Sequence, residues 1–181
     1  MSTCPCHPKA RPDDPSFDLE ISPQVGAQYI AFVRSHLLQA HAILRPALQH
    51  LSLAFVNDAK MSQLHQEFLN IPGPTDVLTF ELDHDKKGRV TAGEVVVCVP
   101  EARRQAKQRG SAIEKELLLY ALHGMLHLCG FDDRTASGYH RMHHKEDQIL
   151  TRLGIGPVFA ADAQPARRPR RRAPSGKIKV K

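Results

Sequence analysis

The sequence has few of the features that mark a secreted or membrane protein. Its four cysteines, Cys4, Cys6, Cys98 and Cys129, form neither a disulfide framework nor a double C-x-x-C zinc pattern. No stretch approaches the roughly 18 consecutive apolar residues of a membrane span, and the N-terminus lacks the apolar core of a signal peptide. We therefore expect a soluble, cytoplasmic protein with reduced thiols and no membrane partner.

Acidic residues are missing from the C-terminal end of the chain. The formal net charge is +6, but residues 166 to 181 hold eight of the 25 Lys and Arg and none of the 19 Asp and Glu, which leaves about −2 on the remainder. The basic character therefore belongs to a tail and not to the body of the protein.

The length of 181 residues suits one domain with some chain to spare. Residues 1 to 15 contain four prolines among small and charged residues, a composition that cannot bury enough surface to offset the entropy of ordering. We expect a flexible N-terminal extension over residues 1–15, a domain over 16–156 and a flexible basic tail over 157–181. The pair Cys4 and Cys6 falls in the extension and is a weak metal-binding signal.

The periodicity of apolar residues changes repeatedly along the domain. Patterns typical of strands occur at 17–21, 51–58, 75–82 and 93–99, and helical patterns lie between and after them. Several connections are too short for helical crossovers, so we expect an α+β fold: a mixed sheet of about four strands with helices on its faces. Ser111 and Glu114 predict a capping box that starts the central helix.

The stretch HGMLHLCGFDD, residues 123–133, places polar rings in an apolar helix. His123 and His127 are four residues apart and therefore project from one side of the helix, where they can share a metal ion. Gly130 ends the helix, so Asp133 can supply a third ligand. Two nitrogens and one oxygen suit one Zn²⁺ or a similar divalent metal per chain, with an open fourth position, at the C-terminal end of the central helix.

His123 and His127 have two other possible interpretations, and the sequence also contains a rival histidine cluster. They could be ordinary core residues bonded to carbonyls, although the spacing with glycine and acid favours a metal. Zincin peptidases also place two histidines four apart, but Gly124 stands where their catalytic Glu belongs. A rival cluster of His140, His143 and His144 is expected to consist of solvated helix residues.

HGMLHLCGFDD resembles the H-G-x-L-H-L-x-G-[YF]-D-H signature of the YbeY family of bacterial rRNA-processing endoribonucleases. PTDVLTF at 74–80 is similar to that family's P-T-D-V-L-S-F segment, and GEVVVC to its G-D-I strand. Met142 and Glu146 are similar to its M-x-x-x-E on the closing helix. In order and spacing, the resemblance covers about residues 17–155.

The resemblance implies an α+β fold, one metal held by three side chains, and RNA cleavage in maturation of the 16S rRNA 3′ end and in ribosome quality control. The implied partners are rRNA, the small ribosomal subunit and its assembly factors. His123 and His127 match the first two ligand positions, and the third is a histidine in most of the family but Asp133 here. Leu69 stands where the family has an arginine implicated in cleavage, and His65 where it has an asparagine.

Because leucine cannot bind a phosphate, other cations must be considered for RNA contacts. Arg103, Arg104, Lys107 and Arg109 share a short helix, although such a run is often only a solvated face. Arg134 lies next to Asp133 in sequence. In the tail, an arginine-rich run could contact phosphates without reading base sequence, or serve only solubility; it comprises Arg167, Arg168, Arg170, Arg171 and Arg172.

The sequence leaves three functions open. The first is a metal-dependent endoribonuclease, in which metal-bound water or the Lewis acidity of the metal acts on an RNA phosphodiester. The second is a ribosome-assembly factor with a structural metal, and the third is a zinc metallopeptidase. No catalytic residue beyond the metal ligands is predicted.

Overall fold

A computed structural model of the chain describes residues 17–159 and the backbone of residues 177–179. Four strands and five α-helices make up the continuous part, and one short strand follows near the C-terminus. In chain order they are β1 (Asp18–Pro23), α1 (Ile30–Leu44), β2 (His50–Val56), α2 (Asp58–Leu69), β3 (Val77–His84), β4 (Val90–Cys98), α3 (Val99–Arg109), α4 (Ile113–Leu128), α5 (Ala136–Arg152) and β5 (Lys177–Lys179).

The strands form one mixed sheet in the order β1-β2-β4-β3-β5. β1 pairs with β2 and β2 with β4 in parallel, while β3 and β4 form an antiparallel hairpin. Lys177–Lys179 adds to the outer edge of β3 in parallel. The predicted α+β class and its four strands are confirmed, and the sheet gains a short fifth strand from the tail.

Helices cover the two faces of the sheet unequally. α1 and α4 pack on one face over the main hydrophobic core, whereas α2 covers part of the other face over a smaller cluster. β4 lies between both layers, and its run from Val95 to Cys98 is accordingly buried residue by residue. This explains why the segment is continuously apolar instead of alternating.

α4 is the central helix of the fold. It contacts β3, β4, α1, α3 and α5, and every residue from Glu116 to Leu128 is buried. A helix enclosed on all sides shows no single apolar stripe. Its two histidines therefore lie inside the protein, at the end of α4 where the helix meets α5.

The predicted capping box is wrong. α4 begins at Ile113 with Ala112 as its N-cap, and no side chain caps it. Ser111 instead donates to the buried carboxylate of Glu116 at 3.1 Å, which also accepts from Arg109 at 3.1 Å. A buried carboxylate needs hydrogen-bond donors, so the hydroxyl of Ser111 bonds to Glu116 and does not cap the helix as the motif predicts.

Several sequence-based expectations concern the chain ends. The N-terminal extension with Cys4 and Cys6 lies outside the described residues, as does the arginine-rich run of the tail.

At the end of the continuous part, Asp147 on α5 accepts from the backbone N–H of Val158 at 2.7 Å and of Phe159 at 3.0 Å. Within the described residues, no helix has the length and apolar character needed to cross a membrane.

Candidate metal centre

His123 and His127 lie one above the other on the last turns of α4. Their side chains are almost fully buried, and the two Nε2 atoms are 3.1 Å apart. The rings stand at 90° to each other with centroids 4.6 Å apart. The spacing of four residues therefore brings both imidazoles to one point, as predicted.

Hydrogen bonds at the opposite ring nitrogens fix the tautomers of both histidines. His127 Nδ1 lies 3.1 Å from the carbonyl oxygen of Phe131, which can only accept, so this nitrogen is the donor. His123 Nδ1 donates to Glu146 Oε1 at 2.7 Å. In the neutral rings each Nε2 then carries a lone pair, and the two lone pairs face the same space.

Asp133 completes the group from the loop that follows α4. Gly130 adopts a left-handed conformation, φ 91°, which turns the chain back towards the helix end. The carboxylate then lies with Oδ2 3.7 Å from His123 Nε2 and Oδ1 3.7 Å from His127 Nε2. The three predicted ligands are thus brought together.

The donor set fits a single divalent cation. Ligand atoms of all three residues lie within 4.8 Å of one another. Ligands about 2.0 to 2.2 Å from one ion at the tetrahedral angle stand roughly 3.3 to 3.6 Å apart, close to the observed 3.1 and 3.7 Å. Two nitrogen lone pairs and a carboxylate that converge in this way are stabilised by a shared positive charge, which a divalent metal ion can supply.

Glu146 on α5 supports the centre from behind. It is fully buried, and its second oxygen accepts from His143 Nδ1. Burial alone would raise the pKa of Glu146, but the hydrogen bonds from His123 and His143 outweigh it and hold the pKa below its usual range. Burial likewise opposes a charge on His123, yet the bond to Glu146 raises the pKa of that ring above its ordinary value.

His143 corrects the expectation that it is a solvated residue. Its ring is buried between Tyr139 and Phe159, with centroid separations of 4.0 and 3.7 Å, and its Nε2 has no hydrogen-bond partner among the described residues. His140 and His144 are exposed, as expected. The apolar stripe of α5 is therefore wider than the sequence pattern indicates, because Phe159 returns to cover it.

The loop that carries Asp133 is fixed against the first turn of α5. Thr135 caps this helix by accepting from the backbone N–H of Gly138 at 3.0 Å. A Cβ on Gly138 would lie only 2.1 Å from the carbonyl oxygen of Asp132. Only glycine allows this approach, which the sequence does not signal.

Gly124 lets α4 lie close to the sheet. A Cβ there would come within 2.6 Å of Val95 Cγ1 and 3.1 Å of Thr79 Oγ1. No side chain fits at this point, so the glutamate of a zincin peptidase could not occupy it. The departure from the peptidase pattern has a steric basis as well as a chemical one.

The two departures from the YbeY-like pattern both serve packing. Leu69 is half-buried against the smaller apolar cluster under α2. His65 is buried, and its Nδ1 donates to the carbonyl oxygen of Gly73 at 2.8 Å, which secures the loop before β3. Leu69 supplies no cation at this position.

The cations predicted to contact RNA are partly engaged with acids. Arg104 forms ion pairs with Asp58 and with Glu101, each with an N···O distance of 2.7 Å. Arg134, whose side chain is exposed, forms an ion pair with Asp132 at 2.6 Å. Arg103 is exposed, and among residues 17–159 it forms no ion pair. Roles for these three in RNA binding stay predictions.

Comparisons with known proteins agree with the motifs. A family model described as Endoribonuclease YbeY matches residues 19–154. The Endoribonuclease YbeY of Beutenbergia cavernae is 42% identical over 113 residues, 59% of this chain and 73% of that protein. That of Geobacillus thermodenitrificans is 29% identical over 142 residues, 73% of this chain and 91% of that protein. The solution structure of TM1509 from Thermotoga maritima, 25% identical, matches with a TM-score of 0.53 over 83% of this chain and 99% of that one.

Proposed function

Because the chain belongs to the Endoribonuclease YbeY family, we propose that it is an endoribonuclease whose activity depends on a metal held by His123, His127 and Asp133. Family membership was predicted from the sequence motifs and is confirmed. The enzyme class, a hydrolase acting on RNA, is confirmed over the metallopeptidase alternative.

One observation supports the metal dependence above the others. The Nδ1 atoms of His123 and His127 are committed to Glu146 and to the carbonyl of Phe131, so both Nε2 lone pairs face the carboxylate of Asp133. An arrangement of this kind is unfavourable unless a cation is shared. Its residues are therefore better suited to coordination than to packing.

The residues of the centre divide into ligands and supports. His123, His127 and Asp133 would hold the ion, while Glu146 holds the ring of His123 in one orientation. A divalent cation in such a site offsets charge on phosphoryl oxygens and provides a nucleophile at neutral pH. The carboxylate of Asp133, in place of a neutral histidine, lowers the net charge of the centre and makes the ion a weaker Lewis acid.

The finer features of the proposal follow the family. We propose Zn²⁺ or a similar transition metal, since nitrogen and oxygen ligands in this number suit it. The substrate would be the 3′ end of 16S rRNA during maturation and quality control in the cytoplasm, with the small subunit and its assembly factors as partners. The arginines of the tail, Arg167 to Arg172, would add salt-dependent affinity for phosphates.

The test combines metal analysis with cleavage of a short precursor of the 16S rRNA 3′ end. Purified wild type is expected to contain about one metal per chain and to cut the RNA, with activity lost on chelation and restored by the metal. His127→Ala should lose both metal and cleavage. Asp133→His, which restores the commoner family ligand, should retain both but change the order of preference among metals.

Asp132→Asn is the matched control, because this neighbouring carboxylate pairs with Arg134 and is not one of the three residues whose ligand atoms converge. It should keep full metal content. A metal-free His127→Ala protein that still cleaves the RNA would refute the proposal, as would metal-loaded wild type that leaves every rRNA precursor intact.

A further inference from the structure

A cleft of about 630 Å³ opens beside the metal centre, at the end of α4. Its lining includes His127, and with it Arg45, Glu81, His84 and Arg89 from three other parts of the chain. The volume lies within the range of about 300 to 1,000 Å³ that small-molecule ligands occupy. Of the three candidate ligands, His127 borders this space.

Arg45 is one of two guanidinium groups on the cleft. It follows α1 in a left-handed conformation, φ 46°, and its side chain is exposed. Among residues 17–159 its guanidinium forms no ion pair. An unpaired, planar cation on a concave surface is suited to bidentate binding of phosphate.

Arg89 supplies the second guanidinium group of the cleft, and it lies in the β3–β4 hairpin. Its Nε and Nη2 both lie 2.7 Å from Asp85 Oδ2, which leaves the rest of its five N–H groups for another acceptor. The side chain is 62% exposed, so the ion pair is weak enough to share with a ligand.

One acidic side chain lines the cleft. Glu81 lies almost buried on the floor, and its Oε2 is 3.1 Å from His84 Nε2. Asp85 pairs with Arg89, so Arg45 is the guanidinium of this lining that has no acidic partner among residues 17–159.

We propose that this cleft binds backbone phosphates of single-stranded RNA next to the bond that is cut, with Arg45 and Arg89 as the contacts. The inference rests on the proposed function and deepens it. It assigns to two residues outside the recognised motifs the phosphate contact that Leu69, packed in an apolar cluster, cannot make.

The test measures binding of a fluorescent 2′-O-methyl oligonucleotide, with the sequence of the 16S rRNA 3′ end, to the metal-loaded full chain at several salt concentrations. Arg45→Gln and Arg89→Gln should each weaken binding and reduce the slope of log K against log[salt] by about 0.7, the value for one phosphate contact on a single strand. In the double variant the slope should fall by about twice that amount. Arg45→Lys and Arg89→Lys should keep the slope, because they keep the charge.

One matched control and one comparison variant each remove a charge elsewhere. Lys115→Gln lies on the same helix as His127 but 12 residues away, roughly 18 Å along the axis, and should leave the slope unchanged. Arg103→Gln tests the rival surface on α3. Arg89→Gln should fold, because the hairpin is also held by Asp85 accepting from the backbone N–H groups of Lys87 and Arg89.

The outcomes separate this inference from the proposed function. If Arg45→Gln and Arg89→Gln bind with the wild-type slope, or if only Arg103→Gln changes it, the inference is wrong even when wild type cuts RNA. If the slope falls as expected but wild type never cuts RNA, the cleft is a phosphate site and the nuclease proposal fails. In the active enzyme, both variants should raise KM with kcat largely kept.

Discussion

The carboxylate of Glu146 orients His123 before any ion is bound. Its two oxygens are divided between His123 and His143, so the glutamate cannot rotate without breaking a buried hydrogen bond. Supports of this kind are as important for affinity as the ligands themselves. The strength of metal binding should therefore depend on a residue that never contacts the metal.

Glu146→Gln should reduce metal affinity by about 10- to 100-fold. The amide has nearly the same shape but removes the negative charge that makes His123 a stronger ligand. Competition with a chromogenic chelator gives the dissociation constant for each protein.

Glu67→Gln makes the same chemical change on the exposed face of α2 and should leave the affinity unchanged. Circular dichroism establishes that both variants are folded. If Glu146→Gln binds metal as tightly as Glu67→Gln does, the supporting role of Glu146 is wrong.

Sequence spacing was sufficient to predict that the three candidate ligands lie together, but not to predict their surroundings. His123, His127 and Asp133 follow from helix periodicity and one glycine turn, and Glu146 from a family motif. His143 was misjudged because its burial depends on Phe159, sixteen residues later, and on the exposed ring of Tyr139. Contacts between segments that only the fold brings together leave no periodic signal.

At the scale of elements, α4 is distinguished by how closely it approaches β4. Gly124 makes this approach possible, since the methyl groups of Val95 occupy the place where a side chain would begin. In an exposed helix, glycine would instead weaken the element by about 1 kcal/mol relative to alanine. Here packing reverses that preference.

Gly124→Ala should lower the free energy of unfolding by about 1 to 3 kcal/mol, the usual effect of overpacking a core. Urea denaturation of the metal-free protein measures it without interference from metal binding. An increase in stability would contradict the close approach.

The matched variant is Gly124→Ala combined with Val95→Ala, which removes the two methyl groups in conflict. Its loss of stability should be smaller than the sum of the two single losses, a coupling expected only for residues in contact. Additive losses would show that the two positions do not meet.

Element boundaries were predicted less well than element types. The strands and helices follow from their periods, but α4 starts at Ile113 because Glu116 takes the hydroxyl of Ser111. A short sequence motif cannot show whether a hydroxyl will accept from a helix N–H group or donate to a buried carboxylate. The hydroxyl bonds to the carboxylate here because tertiary packing buries Glu116.

At the scale of the whole molecule, the core is independent of the metal centre. The main cluster includes buried residues of the sheet, α1, α4 and α5, and the centre lies at its edge. A chain of this length can bury enough apolar surface to fold without a metal. We therefore expect an ion that is not needed for folding, in contrast to the structural ion that the assembly-factor alternative requires.

Chelation should therefore lower Tm without unfolding the protein at room temperature. A free metal concentration 100 times Kd stabilises the folded chain by about 2.7 kcal/mol, so its removal should lower Tm by roughly 5 to 10 °C for a chain of this size. Differential scanning calorimetry with and without chelator measures the shift.

His127→Ala is the control, since its Tm should not respond to metal or chelator. Unfolding of wild type at 25 °C on chelation would instead favour the structural metal of the assembly-factor alternative. The domain boundaries after residues 15 and 156 stay predictions at this scale.

The loop from Gly130 to Thr135 is anchored at both ends, to the carboxyl end of α4 through His127 and Phe131 and to α5 through Thr135 and Gly138. Because Asp133 is part of this loop, separation of the loop from the helices would remove one of the three candidate ligands. We therefore expect loss of the ion to be coupled to local opening of this loop, so mutations that loosen the loop should speed metal exchange with a chelator.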